Sequence, residues 1–135
     1  MATSAILSNP TITVNSVSLT DQCSGLTPNI TATALRTTAF GDTSEKYQAG
    51  LFSNEITCDF YWSEAATETY ATLSSLLGTT TNVVWKATSA ATSATNVQET
   101  LTGCYLETIS PVYALGELAT ISVTFKGGVY SVATS

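Results

Sequence analysis

The stretch from Ile56 to Ala87 constrains this chain most, because it sets the one segment of helical period between two of strand period. Ile56, Cys58, Phe60 and Trp62 alternate with Thr57, Asp59 and Tyr61, the period-2 pattern of a half-buried strand. Ser63 then stands at an N-cap position, with Glu64 and Glu68 near the positive end of the helix dipole. Ala66, Tyr70, Leu73 and Leu77 recur at helical spacing, with Leu76 beside them. The spacing predicts a helix over 63–77 whose core stripe is Ala66, Tyr70, Leu73 and Leu77, closed by Gly78. After a turn over Thr79 to Asn82, Val83, Trp85 and Ala87 resume the alternation.

The rest of the chain reads as strand and turn. Thr11 to Val14 and Val17 to Leu19 flank Asn15-Ser16, which predicts a two-residue hairpin because Asn tolerates positive φ. Thr20 to Pro28 reads as a turn-rich link, and Asn29 to Thr38 alternates again as a third strand. Phe40 to Gly50 breaks the pattern. Its residues Phe40, Gly41, Asp42, Thr43, Ser44, Glu45, Lys46 and Tyr47 form a polar loop with an aromatic at either end and the densest charge in the chain. Thr88 to Asn96 is a low-complexity loop of small residues. Val97 to Ile109 predicts a long strand, with Gly103 marking a bulge or a close backbone approach. Pro111 to Gly116 turns the chain, Leu118 to Lys126 alternates, and Gly127-Gly128 ends that strand. Val129 to Ser135 is a short last strand or a tail, and residues 1–9 a loose arm. Seven or eight strands and one helix in 135 residues predict one mainly β domain, a sandwich or barrel-like fold with a flanking helix.

Composition excludes several kinds of function. Charged residues make up 10% of the chain, against roughly 25% in an ordinary globular domain. So sparse a charge predicts that copies of the chain cover much of its surface. The net charge is −6 and the only cations are Arg36, Lys46, Lys86 and Lys126, too few and too scattered to grip a phosphate backbone. With no histidine, the commonest general base and the commonest metal ligand are both missing. Cys23, Cys58 and Cys104 have no metal-ligand spacing, and Cys58 lies on the apolar face of its strand, which favours a buried free thiol over a disulfide. The N-terminus lacks the basic start of a signal peptide, and no apolar stretch is long enough to span a bilayer.

The carboxylates are therefore the only candidates for acid–base work. Glu64 and Glu68 read as dipole partners on a solvated face. Glu99 and Glu107 share a strand face but stand too far apart to act on one bond. Serines lack a histidine to activate them, and Gly127-Gly128 opens no phosphate-binding helix. The expectation is a chain with no enzymatic activity, no cofactor, no metal and no small-molecule substrate.

The order of elements resembles the tail tube (major tail) proteins of long-tailed bacteriophages. The features that carry the resemblance begin with the hairpin Thr11 to Leu19 and the strand leading into Phe40-Gly41-Asp42-Thr43-Ser44. The Gly50-Leu51 re-entry, the strand Glu55 to Trp62 and the helix closed by Gly78 follow. The strand into Tyr105, and Leu115-Gly116-Glu117-Leu118-Ala119-Thr120 opening the strand to Phe125, complete it. What the resemblance implies is a virion protein that closes into homo-hexameric rings and stacks them into a tube for passing DNA, alongside other phage structural proteins. It also implies that the loop Phe40 to Gly50 contacts the next ring. An acidic wall would let DNA slide without sticking.

Two alternatives stand beside it. One is a capsid decoration protein on the outside of a phage head, also small, β-rich and acidic. The other is a carbohydrate-binding β-sandwich using Trp62, Trp85, Tyr61 and Tyr105 as a stacking platform, against which the tryptophans alternate with polar residues as core side chains do.

Overall fold

Asn15 and Ser16 sit at φ 51° and 65° and make the first turn of the sheet. They join β1 (Thr11–Val14) to β2 (Val17–Ser18) as the predicted hairpin. The computed structural model describes residues 10–63 and 69–134. The remaining strands are β3 (Cys23–Arg36), β4 (Tyr47–Tyr61), β5 (Thr80–Lys86), β6 (Gln98–Val112), β7 (Thr120–Lys126) and β8 (Val129–Ala133). One short helix, α1 (Thr69–Leu73), lies between β4 and β5.

These strands form one antiparallel sheet in the order β2-β1-β5-β6-β7-β4-β3, with β8 beside β6. The chain is thus mainly β, as expected, and built from one continuous sheet in barrel-like form. Ile12 and Val14 of β1, Val83 and Trp85 of β5, and Ile56, Cys58 and Phe60 of β4 belong to one buried cluster. Ile121, Val123 and Phe125 of β7 join them. Strands from opposite ends of the sheet share a core only if the sheet curls. The groove between Ile12 and Trp85 on one side and Cys23 to Leu26 on the other is where its ends come near each other. Fully burying a side chain such as Phe60 or Phe125 contributes roughly 1.5–3 kcal/mol.

β6 departs from simple alternation twice. Its register against β5 skips between Leu101 and Cys104, and against β7 between Leu106 and Thr108. Each skip inserts one extra residue and turns the following side chains to the other face. Leu101, Cys104 and Leu106 are therefore all buried, and Ile109 packs against them, although strict alternation sets Leu101 and Ile109 opposite Cys104 and Leu106. Gly103 takes φ 72° at the first bulge. There Gly128 approaches so closely that a Cβ on it would lie 2.7 Å from the Thr102 carbonyl oxygen. This contact turns β7 into β8, making Val129 to Ala133 a strand.

The helix ends earlier than the periodicity predicts. Residues 64–68, including Ala66 and both glutamates, lie outside the described residues, and helical geometry ends at Leu73. Of the predicted stripe, Leu73 is fully buried, whereas Tyr70 and Leu77 are exposed. The chain passes into turns after Leu73, so helical spacing no longer governs where Leu77 points. The buried side of α1 is Thr69, Thr72 and Leu73. Thr69 is tied by its N–H (2.8 Å) and its hydroxyl (2.6 Å) to Gln22 Oε1.

Two strands begin earlier than predicted. β3 takes in most of the expected link before Pro28, and β4 starts at Tyr47 so that Gly50 lies inside it. The three cysteines are free, and Cys58 and Cys104 are fully buried.

Candidate assembly surface

β4 pairs with β7 only from Glu55 to Tyr61, while its ladder with β3 continues out to Arg36 and Tyr47. Beyond Asn54, therefore, the β3–β4 hairpin leaves the sheet and projects as a two-stranded arm. Every described residue of the arm from Thr31 to Arg36 and from Tyr47 to Ser53 is exposed, except half-buried Gly50. The sequence carries the reason. Thr31, Ala32, Thr33 and Ala34 offer no large apolar side chain to either face, so this half of the hairpin has nothing to bring to a core.

The arm nonetheless bears Leu35, Leu51 and Phe52, exposed at 51%, 86% and 67%. Among the described residues its outer edges are bare as well: β3 is the last strand of the sheet, and β4 from Tyr47 to Ser53 has no partner on the β7 side. Two free strand edges on opposite sides of one ribbon make a template for further strands.

The arm's tip holds the eight residues that the sequence singled out. Ala39 to Asp42 make a tight turn in which the Asp42 N–H donates to the Ala39 carbonyl. The Asp42 carboxylate accepts from the Ala39 N–H at 2.7 Å and from Lys46 Nζ at 2.8 Å. The Lys46 ammonium first, and the Ala39 N–H second, hold the Asp42 carboxyl below its ordinary range. Tyr47 donates its hydroxyl to Glu45, which also faces Arg36 at 4.0 Å. The charges of the loop are thus paired with one another. The Phe40 ring stands wholly in solvent at the apex. Thr43 and Ser44 are exposed beside it, and Gly41 takes φ 91° to close the turn.

At the other end of the sheet, Trp62 lies against Tyr70 and Tyr113, with ring centroids 5.0 and 5.7 Å apart. The loop that follows β6 exposes Tyr113, Leu115 and Leu118. Sequence reasoning missed the apolar character of both ends. The signal was Phe40 and Leu115, each beside a turn glycine, where a polar residue would serve the turn equally well.

The remaining chemistry-bearing side chains among the described residues do not converge. Glu107 pairs with Lys126 at 3.2 Å, while Glu99 lies between Trp85 and Tyr130. Trp85 is buried against Tyr130, away from the Trp62 cluster, so the four rings proposed as a stacking platform divide between core and surface. Among the described residues no cluster of Cys, Asp and Glu could hold a metal ion. No helix there is long and apolar enough to cross a membrane.

No protein-family model matches this sequence, and no curated protein does. Solved structures match over nearly the whole chain. A chain of the virion of a native gene transfer agent particle aligns with TM-score 0.73 at 12% identity, covering 93% of this chain and 96% of that one. A chain of the sheath/tube terminator of an extracellular contractile injection system in its extended state gives 0.73 at 10% identity, covering 98% and 99%. A chain of the tube-terminating cap of the anti-feeding prophage gives 0.72 at 11% identity, covering 100% and 95%. The likeness is one of fold, and it is the fold that the resemblance to tail tube proteins predicted.

Proposed function

We propose that this chain is a non-enzymatic structural subunit of a phage-like tail, which self-associates into six-membered rings that stack as a DNA-conducting tube. The observation that carries this reading is the arm, bare on both strand edges and exposing Leu35, Leu51 and Phe52. A free β3 edge on one side and a free β4 edge on the other are two different surfaces. Their pairing between copies is heterologous and closes into a ring or runs on as a filament. The six-fold symmetry of a gene transfer agent tail containing a chain of this fold supports closure at six. An acidic chain with four cations suits a wall past which DNA moves without being held. The protein would be made in a bacterial host and reside in the virion tail.

Electron microscopy with circular dichroism tests the reading on the wild type and on a variant lacking Asp42 to Lys46. The wild type should give rings or tubes. The deletion removes a tip that contributes nothing to the core, so it should fold and fail to stack. Discrete monomers or trimers from both proteins under every condition would instead favour capsid decoration.

A second reading, a terminating ring at the tube's end, is favoured by the likeness to a terminator and a cap. It predicts single rings that do not grow into tubes.

A further inference from the structure

β1 and β3 stand on either side of the seam of the curled sheet and run in opposite directions. Antiparallel pairings lead all the way from β1 through β5, β6, β7 and β4 to β3. The chain before Thr11 and the chain after Pro28 therefore leave the seam at the same end, where Pro10 and Pro28 line one groove. Residues 1–9 lie outside the described residues, and Pro10, in the groove's wall, is where they join the sheet. A residue before proline is held away from the helical region, which suits Asn9 to continuing the line of β1.

That line runs beside the β3 edge from Asn29 to Arg36, which is bare among the described residues. Two features set this edge apart from the arm's other one. β4 carries a bulge: Ala32 faces Phe52 and Ala34 faces Ala49, leaving Gly50 and Leu51 opposite Thr33 alone. Such a bulge twists an edge away from further pairing. β3 has no extra residue over this length and no charged side chain before Arg36. An edge so long and uncharged is one that proteins ordinarily cover.

Residues 1–9 match it in length and chemistry. Extended, they reach roughly 30 Å, against about 26 Å for the edge from Asn29 to Arg36. They too carry no charged side chain, and Thr3, Ser4 and Ser8 suit Thr31 and Thr33 as cross-strand partners. In a strand, the adjacent Ile6 and Leu7 point to opposite faces. Each face of the ribbon exposes an apolar side chain to meet them, Phe52 beside Ala32 on the core side and Leu35 on the other.

We propose that residues 1–9 add as an antiparallel strand to the β3 edge of their own arm and hold it closed until a neighbouring copy's β4 edge displaces them. The displacement rests on the tube-subunit reading; the strand does not. The tether at Pro10 keeps the segment at an effective concentration on the order of millimolar, so it covers the edge in the free chain. A neighbour's strand brings Leu51 and Phe52 and wins when copies are numerous or already held in a ring. Free subunits are thereby kept from pairing edge to edge at random.

Deuterium exchange on dilute, unassociated protein tests the strand. Deleting Ala2 to Asn9 should speed exchange over residues 29–36 about tenfold or more and leave residues 56–61 unchanged, which also shows that the variant folds. Ile6→Pro, which denies the ladder a donor, should act in the same direction. Equal exchange over 29–36 with and without residues 2–9 would overturn the proposal. So would protection that appears only as concentration rises, since the segment would then lie on a neighbour's edge. Electron microscopy tests the displacement: the deletion should give rings or tubes at severalfold lower concentration than the wild type, and their loss would overturn the brake. A wild type that never associates, yet is protected over 29–36 by residues 2–9, would keep the strand and overturn the tube-subunit reading instead.

Discussion

Trp85 donates its indole N–H to Glu99 directly across the β5–β6 ladder, at 2.5 Å. The other carboxylate oxygen accepts the Tyr130 hydroxyl at 2.6 Å. One glutamate thereby fastens three strands, β5, β6 and β8, at the edge of the core. Glu99→Ala leaves the buried Trp85 N–H without an acceptor, and a loss of about 1–3 kcal/mol is expected. Tyr130→Phe spares the indole bond and should cost less, about 0.5–1.5 kcal/mol. Urea unfolding of both variants gives the comparison, and equal losses would contradict the ranking.

Leu73 is the helix side chain with a core role. Leu73→Ala should cost about 2–5 kcal/mol, the range for a fully buried leucine. Leu77→Ala, at an exposed position, should change stability by less than about 0.5 kcal/mol. A loss under half a kilocalorie at Leu73 would mean that α1 does not close the core.

Adjacent glycines should behave differently. Both Gly127 and Gly128 hold positive φ, so an alanine at either strains the backbone by roughly 1–2 kcal/mol. At Gly127 the new methyl meets open space, whereas at Gly128 it lies 2.7 and 3.0 Å from backbone atoms of Thr102 and Cys104. Gly128→Ala should therefore be the more damaging by a clear margin in thermal unfolding, and should detach β8.

Stability should fall at alkaline pH. Burial pushes the Cys104 thiol from 9.0 up to about 11 and raises Cys58 well above its ordinary value. Burial, and then the Glu99 carboxylate, push Tyr130 from 10.0 up to about 12. In each case the native state keeps a proton that the unfolded chain has already released. The contribution is complete below about pH 9 and is lost as pH rises towards 11 and 12. Urea midpoints from pH 8 to 11 should decline, and Cys104→Ala should flatten the decline whatever it does to the midpoint itself.

The legible parts of the sequence were those where one period governs a whole element. Ile56 to Phe60 and Ile121 to Phe125 alternate cleanly and are buried on the expected face. In β6 the bulges defeat alternation, since one inserted residue reverses every assignment after it. The stripe from Ala66 to Leu77 assumed one uninterrupted helix, and helical geometry stops at Leu73. On the candidate assembly surface, the glycines and charge of the loop Phe40 to Tyr47 single it out in the sequence, while the structure pairs Asp42 with Lys46 and Glu45 with Tyr47 and Arg36. Leu51 and Phe52 read as ordinary strand residues until the neighbour that fails to cover them is known.

Because the arm beyond Asn54 is, among the described residues, paired only with itself, its backbone amides do not share the protection of the core. In the free chain they should exchange with deuterium through local fraying, at rates insensitive to core mutations such as Leu73→Ala. Ile56 to Tyr61, a few residues along the same strand, should exchange only on global opening. One strand would thus carry two clocks, and assembly would be read as the slowing of the faster one.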